Sequence, residues 1–198
     1  SYRFIGCRFI DAQKGIYGIN WNNIIDGCLF QNLSDTAIRA IYPDGSNVIS
    51  NNVFQINGLD IEIGGTDNLI HANQFRTTEK SAIKVVGDSI SGLQISNNVA
   101  KNCSNEGNNL YAVIDIISPY LAAIIISNNL IRNDGTGKAS YAINMNTTFT
   151  GLFDILISNN VARNIIQFTS GNTLYLGYGL YEATKGSTYI CGKDVEIY

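Results

Sequence analysis

ISNNVF (49–54), ISNNVA (95–100), ISNNLI (126–131) and ISNNVA (157–162) are four nearly identical phrases at wide, unequal intervals. Aligning the chain on the second asparagine extends the series to Cys7, Cys28, Asn52, Asn73, Asn98, Asn129 and Asn160. The spacings are 21, 24, 21, 25, 31 and 31 residues. After each phrase and a polar loop comes a second patterned run: YGINW (17–21), TAIRAI (36–41), LDIEIG (59–64), SAIKVV (81–86), AVIDII (112–117), YAINMN (141–146) and LYLGYG (174–179). These runs align on Ile19, Ile38, Ile61, Ile83, Ile114, Ile143 and Leu176, and alternate with period two, the mark of a half-buried strand. A repeat of this length, with short strands and loops of variable size, fits one rung of a parallel β-helix. Leucine-rich repeats need an L-x-x-L-x-L core, which is absent. Propeller blades need longer repeats of four antiparallel strands.

Composition agrees. The 198 residues include 30 Ile, a β-branched strand former, and 25 Asn, a turn residue, against 2 Pro and 1 Met. The expected fold class is therefore all-β: a right-handed single-stranded parallel β-helix of about seven rungs with an Asn ladder. Charged residues make up 15% and the formal net charge is −3. No Lys/Arg run appears, which argues against nucleic acid as a partner. Apolar runs such as Leu121 to Ile126 fall far short of the ~20 residues of a membrane-spanning helix. The chain opens inside a patterned segment, SYRFIGCRF, and reads as a fragment or processed piece of something longer. Residues 1–179 are expected to form the β-helix. Residues 180–198 leave the repeat, carry two strand-like pieces, and are expected to cap it or to begin a further segment.

The I-S-N-N-[VL] rung resembles the right-handed parallel β-helix of the pectin-lyase-like superfamily over about residues 4–179. The resemblance implies three strands per rung, with the asparagines stacked at the tight turn between the second and third. Physics supports that placement. One corner residue needs a left-handed conformation, which Asn tolerates. The other points inward, and with rungs ~4.8 Å apart its amide bonds the equivalent group above and below. Cys7 and Cys28 continue the ladder, close enough for a disulfide by the usual Cα separation of roughly 4.4–6.8 Å; stacked free thiols are the alternative. The Cys residues at 7, 28, 103 and 191 show no CxxC spacing, so a zinc site is not expected. Phe9, Phe30, Phe54 and Phe75 recur two places after the ladder and give way to Ala100, Ile131 and Ala162, so the core is expected to change cross-section near residue 100.

The same resemblance places chemistry on the outward face of the first strand. The residue after each aligned Ile is expected to point out, giving Asn20, Arg39, Glu62, Lys84, Asp115, Asn144 and Gly177. The residue before it is also expected outward, which sets Asp60 between Ala37 and Ala82 and beside Glu62. Asp60 and Glu62 are the candidate catalytic pair, since i, i+2 carboxylates lie ~6.6 Å apart at Cα, near the separation of glycosidase acid and base. Arg39, Lys84, Asp115, Tyr111 and Tyr141 are candidate substrate-binding residues. A charge ladder that only relieves repulsion and fixes register is the plainer reading of the row. His71, the sole histidine, occupies the place of Ser50, Ser96, Ser127 and Ser158 and reads as an outward rung residue. No resident cofactor is expected; Asp60, Glu62 and Asp115 are the acids available to calcium, without the acid density of a dedicated site.

The chain most resembles the tail spike and tail fibre depolymerases of bacteriophages. This resemblance implies a homotrimer on the virion tail that grips bacterial surface polysaccharide, with or without cleaving it as a hydrolase or lyase. The alternatives are a non-catalytic structural or adhesive β-helix module, and a secreted bacterial polysaccharide lyase or epimerase that needs calcium.

Overall fold

A computed structural model gives the protein's fold and describes residues 1–41, 45–104, 111–132, 141–146, 151–163, 173–176, 188–190 and 195–197. Every regular element among them is a strand. The strands stack into three sheets, each taking one strand from every rung in turn. The chain is a right-handed parallel β-helix. The second sheet runs from Arg3–Ile5 through Ile24–Asp26, Val48–Ser50, Leu69–His71, Gln94–Ser96 and Tyr120–Ser127 to Gly151–Ser158 and Thr188–Ile190. The third begins at Arg8–Ala12 and passes through Leu29–Leu33, Val53–Gln55, Gln74–Arg76, Val99–Lys101, Leu130–Arg132 and Asn160–Arg163 to Val195–Ile197. The first sheet holds Ile16–Tyr17, Thr36–Ala40, Leu59–Ile63, Ile83–Val86, Ala112–Ile117, Tyr141–Asn146 and Thr173–Leu176. Thr188–Ile190 and Val195–Ile197 form the strand-like pieces of the tail, and both add a parallel strand to an existing sheet.

One local rule builds all three corners: a residue with positive φ, followed by a side chain that turns inward. Between the second and third sheets the positive-φ residues are Gly6, Gly27, Asn51, Ala72, Asn97, Asn128 and Asn159. Between the third and first they are Asp11, Asn32, Ile56, Thr77 and Asn102, and between the first and second Asn22, Ser46, Asp67, Gly92 and Ala123. Gly and Asn dominate because the left-handed region costs them little.

The ladder of Cys7, Cys28, Asn52, Asn73, Asn98, Asn129 and Asn160 stands at the first of these corners. Each Asn Oδ1 accepts from the backbone N–H of the preceding rung, and each Nδ2 donates to a backbone carbonyl, as Asn73 does to Ile49. From Asn52 to Asn160 each Nδ2 also donates to the next Oδ1 at 2.9–3.1 Å. The buried amides are thus satisfied by one another and by the backbone, avoiding a desolvation cost of about 1–3 kcal/mol per stranded group. Cys7 and Cys28 are free thiols, which settles the disulfide alternative; the Cys28 thiol sits 3.4 Å from the carbonyls of Phe4 and Asp26.

A second ladder was not expected. Asn23, Asn47 and Asn68, each five residues before a first-ladder position, join through Nδ2–Oδ1 bonds of 2.8 and 3.0 Å at the corner between the first and second sheets. The phenylalanine column forms as expected, with centroids of Phe9, Phe30, Phe54 and Phe75 spaced 4.9 Å apart and nearly parallel. Where Ala100 replaces Phe, a small cavity of about 10 Å³ opens between Phe75, Ile114 and Ile131.

Two expectations about the first sheet are corrected. Ile38 pairs with Ile16, not Ile19, and Arg39 pairs with Tyr17, not Asn20. Gly15 makes this register possible. A Cβ there would lie 2.4 Å from the carbonyl oxygen of Ala37, so only glycine allows the strand to approach so closely. At the other end Leu176 does oppose Ile143, but in an antiparallel strand. Residues 105–110, 133–140 and 147–150, together with Gly177 and Cys191, lie outside the described residues.

Candidate functional site

The outward row of the first sheet reads Tyr17, Arg39, Glu62, Lys84, Asp115, Asn144, each directly opposite the next. At ~4.8 Å per rung the row runs roughly 24 Å. Its members are tied together. Arg39 Nε lies 2.8 Å from Glu62 Oε2, and Lys84 Nζ 3.4 Å from Glu62 Oε1. Asn144 Nδ2 donates to Asp115 Oδ1 at 2.7 Å. Arg39 donates to the Tyr17 hydroxyl, and its guanidinium sits 5.1 Å from the Tyr17 ring centroid, with Lys14 Nζ at 4.4 Å. The Glu62 side chain is 13% exposed, the Arg39 side chain 39% and the Lys84 side chain 34%, so the acid is sheltered and both bases reach solvent. Burial pushes the Asp115 carboxyl up, while the Asn144 hydrogen bond and the Lys84 charge pull it back. Opposed pairs of this kind contribute about 0.2–1 kcal/mol each, so the row fixes register more than it stabilises.

Asp60 is not part of that row. The expectation that it faces outward beside Glu62 is corrected: Asp60 is fully buried, as are Ala37 and Ala82 in the same column. The cause is the corner. Three successive columns, at Leu59, Asp60 and Ile61, are all buried where the chain swings from the third sheet into the first, so strict alternation does not hold there. Asn57 Nδ2 donates to Asp60 Oδ1 at 2.8 Å, and the Thr78 hydroxyl bonds Asp60 Oδ2. Thr78 in turn contacts Cys103 Sγ at 3.5 Å. Asn57, Thr78 and Cys103 are the inward residues that follow the positive-φ corner residues Ile56, Thr77 and Asn102. Burial pushes the Asp60 carboxyl up to about 7, against the two hydrogen bonds that favour its charged form. Burial and the nearby Asp60 push the Cys103 thiol up to about 12.

Of the other candidates, Tyr111 is half-buried at the entrance to Ala112–Ile117, where its carbonyl accepts from the Ser104 hydroxyl. Tyr141 begins the strand opposite Ala112, and its side chain lies outside the described residues. His71 takes its place in the outward column of the second sheet, 3.1 Å from the Ser96 hydroxyl. The three acids named for calcium stand apart: Asp60 is buried, Glu62 lies between two cations and Asp115 holds Asn144. Among the described residues no group of three or more His, Cys, Asp or Glu side chains comes together as a metal site.

The stacked parallel sheets and the asparagine ladders define a parallel β-helix protein. The family model for the right handed beta helix region matches residues 1–113, more than half of the chain, and the chain belongs to that family. No curated protein and no solved structure matches the chain.

Proposed function

We propose that this chain is a polysaccharide-binding β-helix, a segment of a tail spike-like or tail fibre-like protein that grips bacterial surface glycan along the outward row of the first sheet. The observation that carries the reading is the row itself. It is a straight track of six registered polar side chains, with an aromatic ring at one end and the sheltered Glu62 between the half-buried cations Arg39 and Lys84. Sugar hydroxyls both donate and accept. Glu62 and Asp115 supply acceptors, Arg39, Lys84 and Asn144 supply donors, and the Tyr17 ring offers an apolar face. Homotrimeric assembly and display on a virion tail belong to the same reading.

Binding is favoured over cleavage by Asp60 and Glu62, because a buried Asp60 cannot reach a glycosidic bond. One observation supports a second, catalytic reading. Asp115 and Glu62 lie two rungs apart, roughly 10 Å at Cα, and burial raises the Asp115 carboxyl towards general-acid use. Immobilised capsular and O-antigen polysaccharides probe both readings. The wild type binds at least one, and Arg39→Ala with Lys84→Ala weakens it about tenfold or more, the loss of one or two charged hydrogen bonds. Retention of full affinity by the double variant overturns the site. Release of reducing ends or unsaturated uronate, abolished by Asp115→Asn and Glu62→Gln, would establish the catalytic reading instead.

A further inference from the structure

The basic residues of this chain form no run in sequence, yet the rungs assemble them. On the outward face of the third sheet Arg76 pairs with Lys101, Lys101 with Arg132, and Arg132 with Arg163. These residues are 25, 31 and 31 positions apart in the chain. At ~4.8 Å per rung, four consecutive cationic positions span roughly 14 Å. The side chains of Arg76, Lys101 and Arg132 are exposed, and Gln74 holds the Arg76 guanidinium at 2.9 Å.

Composition does not force this column. The net charge is −3, with 13 basic residues in all. The three preceding rungs fill the same column with Ile10, Gln31 and Gln55, all uncharged. The fold therefore accepts neutral residues here, whereas like charges placed directly opposite one another destabilise a sheet. From the fourth rung onward the column is basic at every described position, with exposed side chains at Arg76, Lys101 and Arg132. Two residues earlier on the same strands, and on the same face, stand Gln74, Val99, Leu130 and Val161. Val99 is 43% exposed. An aliphatic stripe thus runs beside the cationic one, and Gln74, Phe75, Arg76, Val99 and Lys101 line a shallow concavity between them.

We propose that this face is a second binding track, for a linear anionic polysaccharide that carries a carboxylate or sulfate along one edge. The cations take the charged edge and the aliphatic stripe takes the C–H faces of the rings. Two rival occupants fit less well. Single-stranded nucleic acid needs exposed aromatic rings for its bases, and the exposed aromatics among the described residues, Tyr2, Tyr17, Trp21 and Tyr120, lie outside the strands of this sheet. A second copy laid face to face on the column would set cation against cation.

The track lies on a different sheet from the Arg39–Asn144 row, so its failure and the failure of that row are separable by variant. The test titrates the full chain with alginate, a polyuronate with a carboxylate on each ring. Neutral dextran and poly(dT) serve as comparators, at low and near-physiological salt. The wild type binds alginate in preference to dextran and poly(dT). In Arg76→Gln/Lys101→Gln/Arg132→Gln, affinity falls about tenfold or more, and the slope of log K against log salt drops by about one per cation removed. Arg39→Ala/Lys84→Ala keeps alginate binding and its salt slope. Absence of alginate binding, an unchanged salt slope in the triple variant, equal binding of dextran, or tighter binding of poly(dT) would each overturn the proposal. So would a triple variant that loses only self-association.

Discussion

Asp60 makes the stability of this β-helix fall with rising pH, and Asp60→Asn removes that dependence. The carboxyl is raised from 3.8 to about 7 in the folded chain. Between those values the folded state holds a proton that the unfolded state has lost, so unfolding releases it. Stability then declines by about 1.4 kcal/mol per pH unit as pH rises, and levels off above the folded value. The full window corresponds to about 4 kcal/mol, of which about 2–3 kcal/mol falls between about pH 5 and about pH 7. Asn is a close copy of the protonated acid at this site. Its oxygen accepts from Asn57 and its amide donates to Thr78, whose hydroxyl proton is left for Cys103. Urea unfolding of wild type and Asp60→Asn, from about pH 5 to about pH 8, reads the difference directly. Other groups, including the raised Asp115 and the lowered Asp26, titrate in both proteins and cancel. The variant gains on the wild type as pH rises, and is the more stable protein above about pH 7. A difference that stays constant across this range would refute the burial of a titrating carboxyl at the corner.

Two further predictions concern the scaffold. Asn73→Ala removes the acceptor for both the backbone N–H and the Nδ2 of Asn52, each at 3.0 Å. With two buried donors stranded, the loss is about 2–5 kcal/mol by chemical denaturation; a loss below about 1 kcal/mol would mean the ladder is not closed as described. Ile56 is a β-branched residue at φ 56° and 49% exposed, in a column where other rungs place Asp11, Asn32, Thr77 and Asn102. Ile56→Asn therefore raises stability by about 1 kcal/mol, read as an increase in Tm. A fall in Tm would show that the Ile56 side chain packs more than its exposure indicates.

The scaffold was legible because each of its devices recurs at the rung period. The first ladder and the phenylalanine column announce themselves by residue type at a fixed offset from a repeated phrase. The second ladder hides only because Asn23, Asn47 and Asn68 lack a common flanking phrase, although their offset of five is constant. The register of the row from Arg39 to Asn144 is legible in the alignment, although Asp115 within it is buried. At its start, YGINW alternates as convincingly as the true strand at Ile16–Tyr17, and the close approach permitted by Gly15 decides between them. Period two does not carry through a corner, where consecutive columns all turn inward, and this is why alternation alone sets Asp60 on the wrong face. The cationic column of the third sheet is invisible to any scan for basic runs. Its members are neighbours only after the chain has closed a full rung between them.

The first-sheet row is tested most directly by hydroxyl-radical footprinting of the intact protein, free and saturated with the polysaccharide from the capsular and O-antigen panel that it binds most tightly. Tyr17 is 44% exposed and stands at the end of the row, whereas Trp21 is 54% exposed and lies outside every strand of the first sheet. If glycan lies along Arg39, Glu62, Lys84 and Asp115, oxidation of Tyr17 drops several-fold on saturation while Trp21 is unchanged. Equal oxidation of Tyr17 with and without glycan would contradict it.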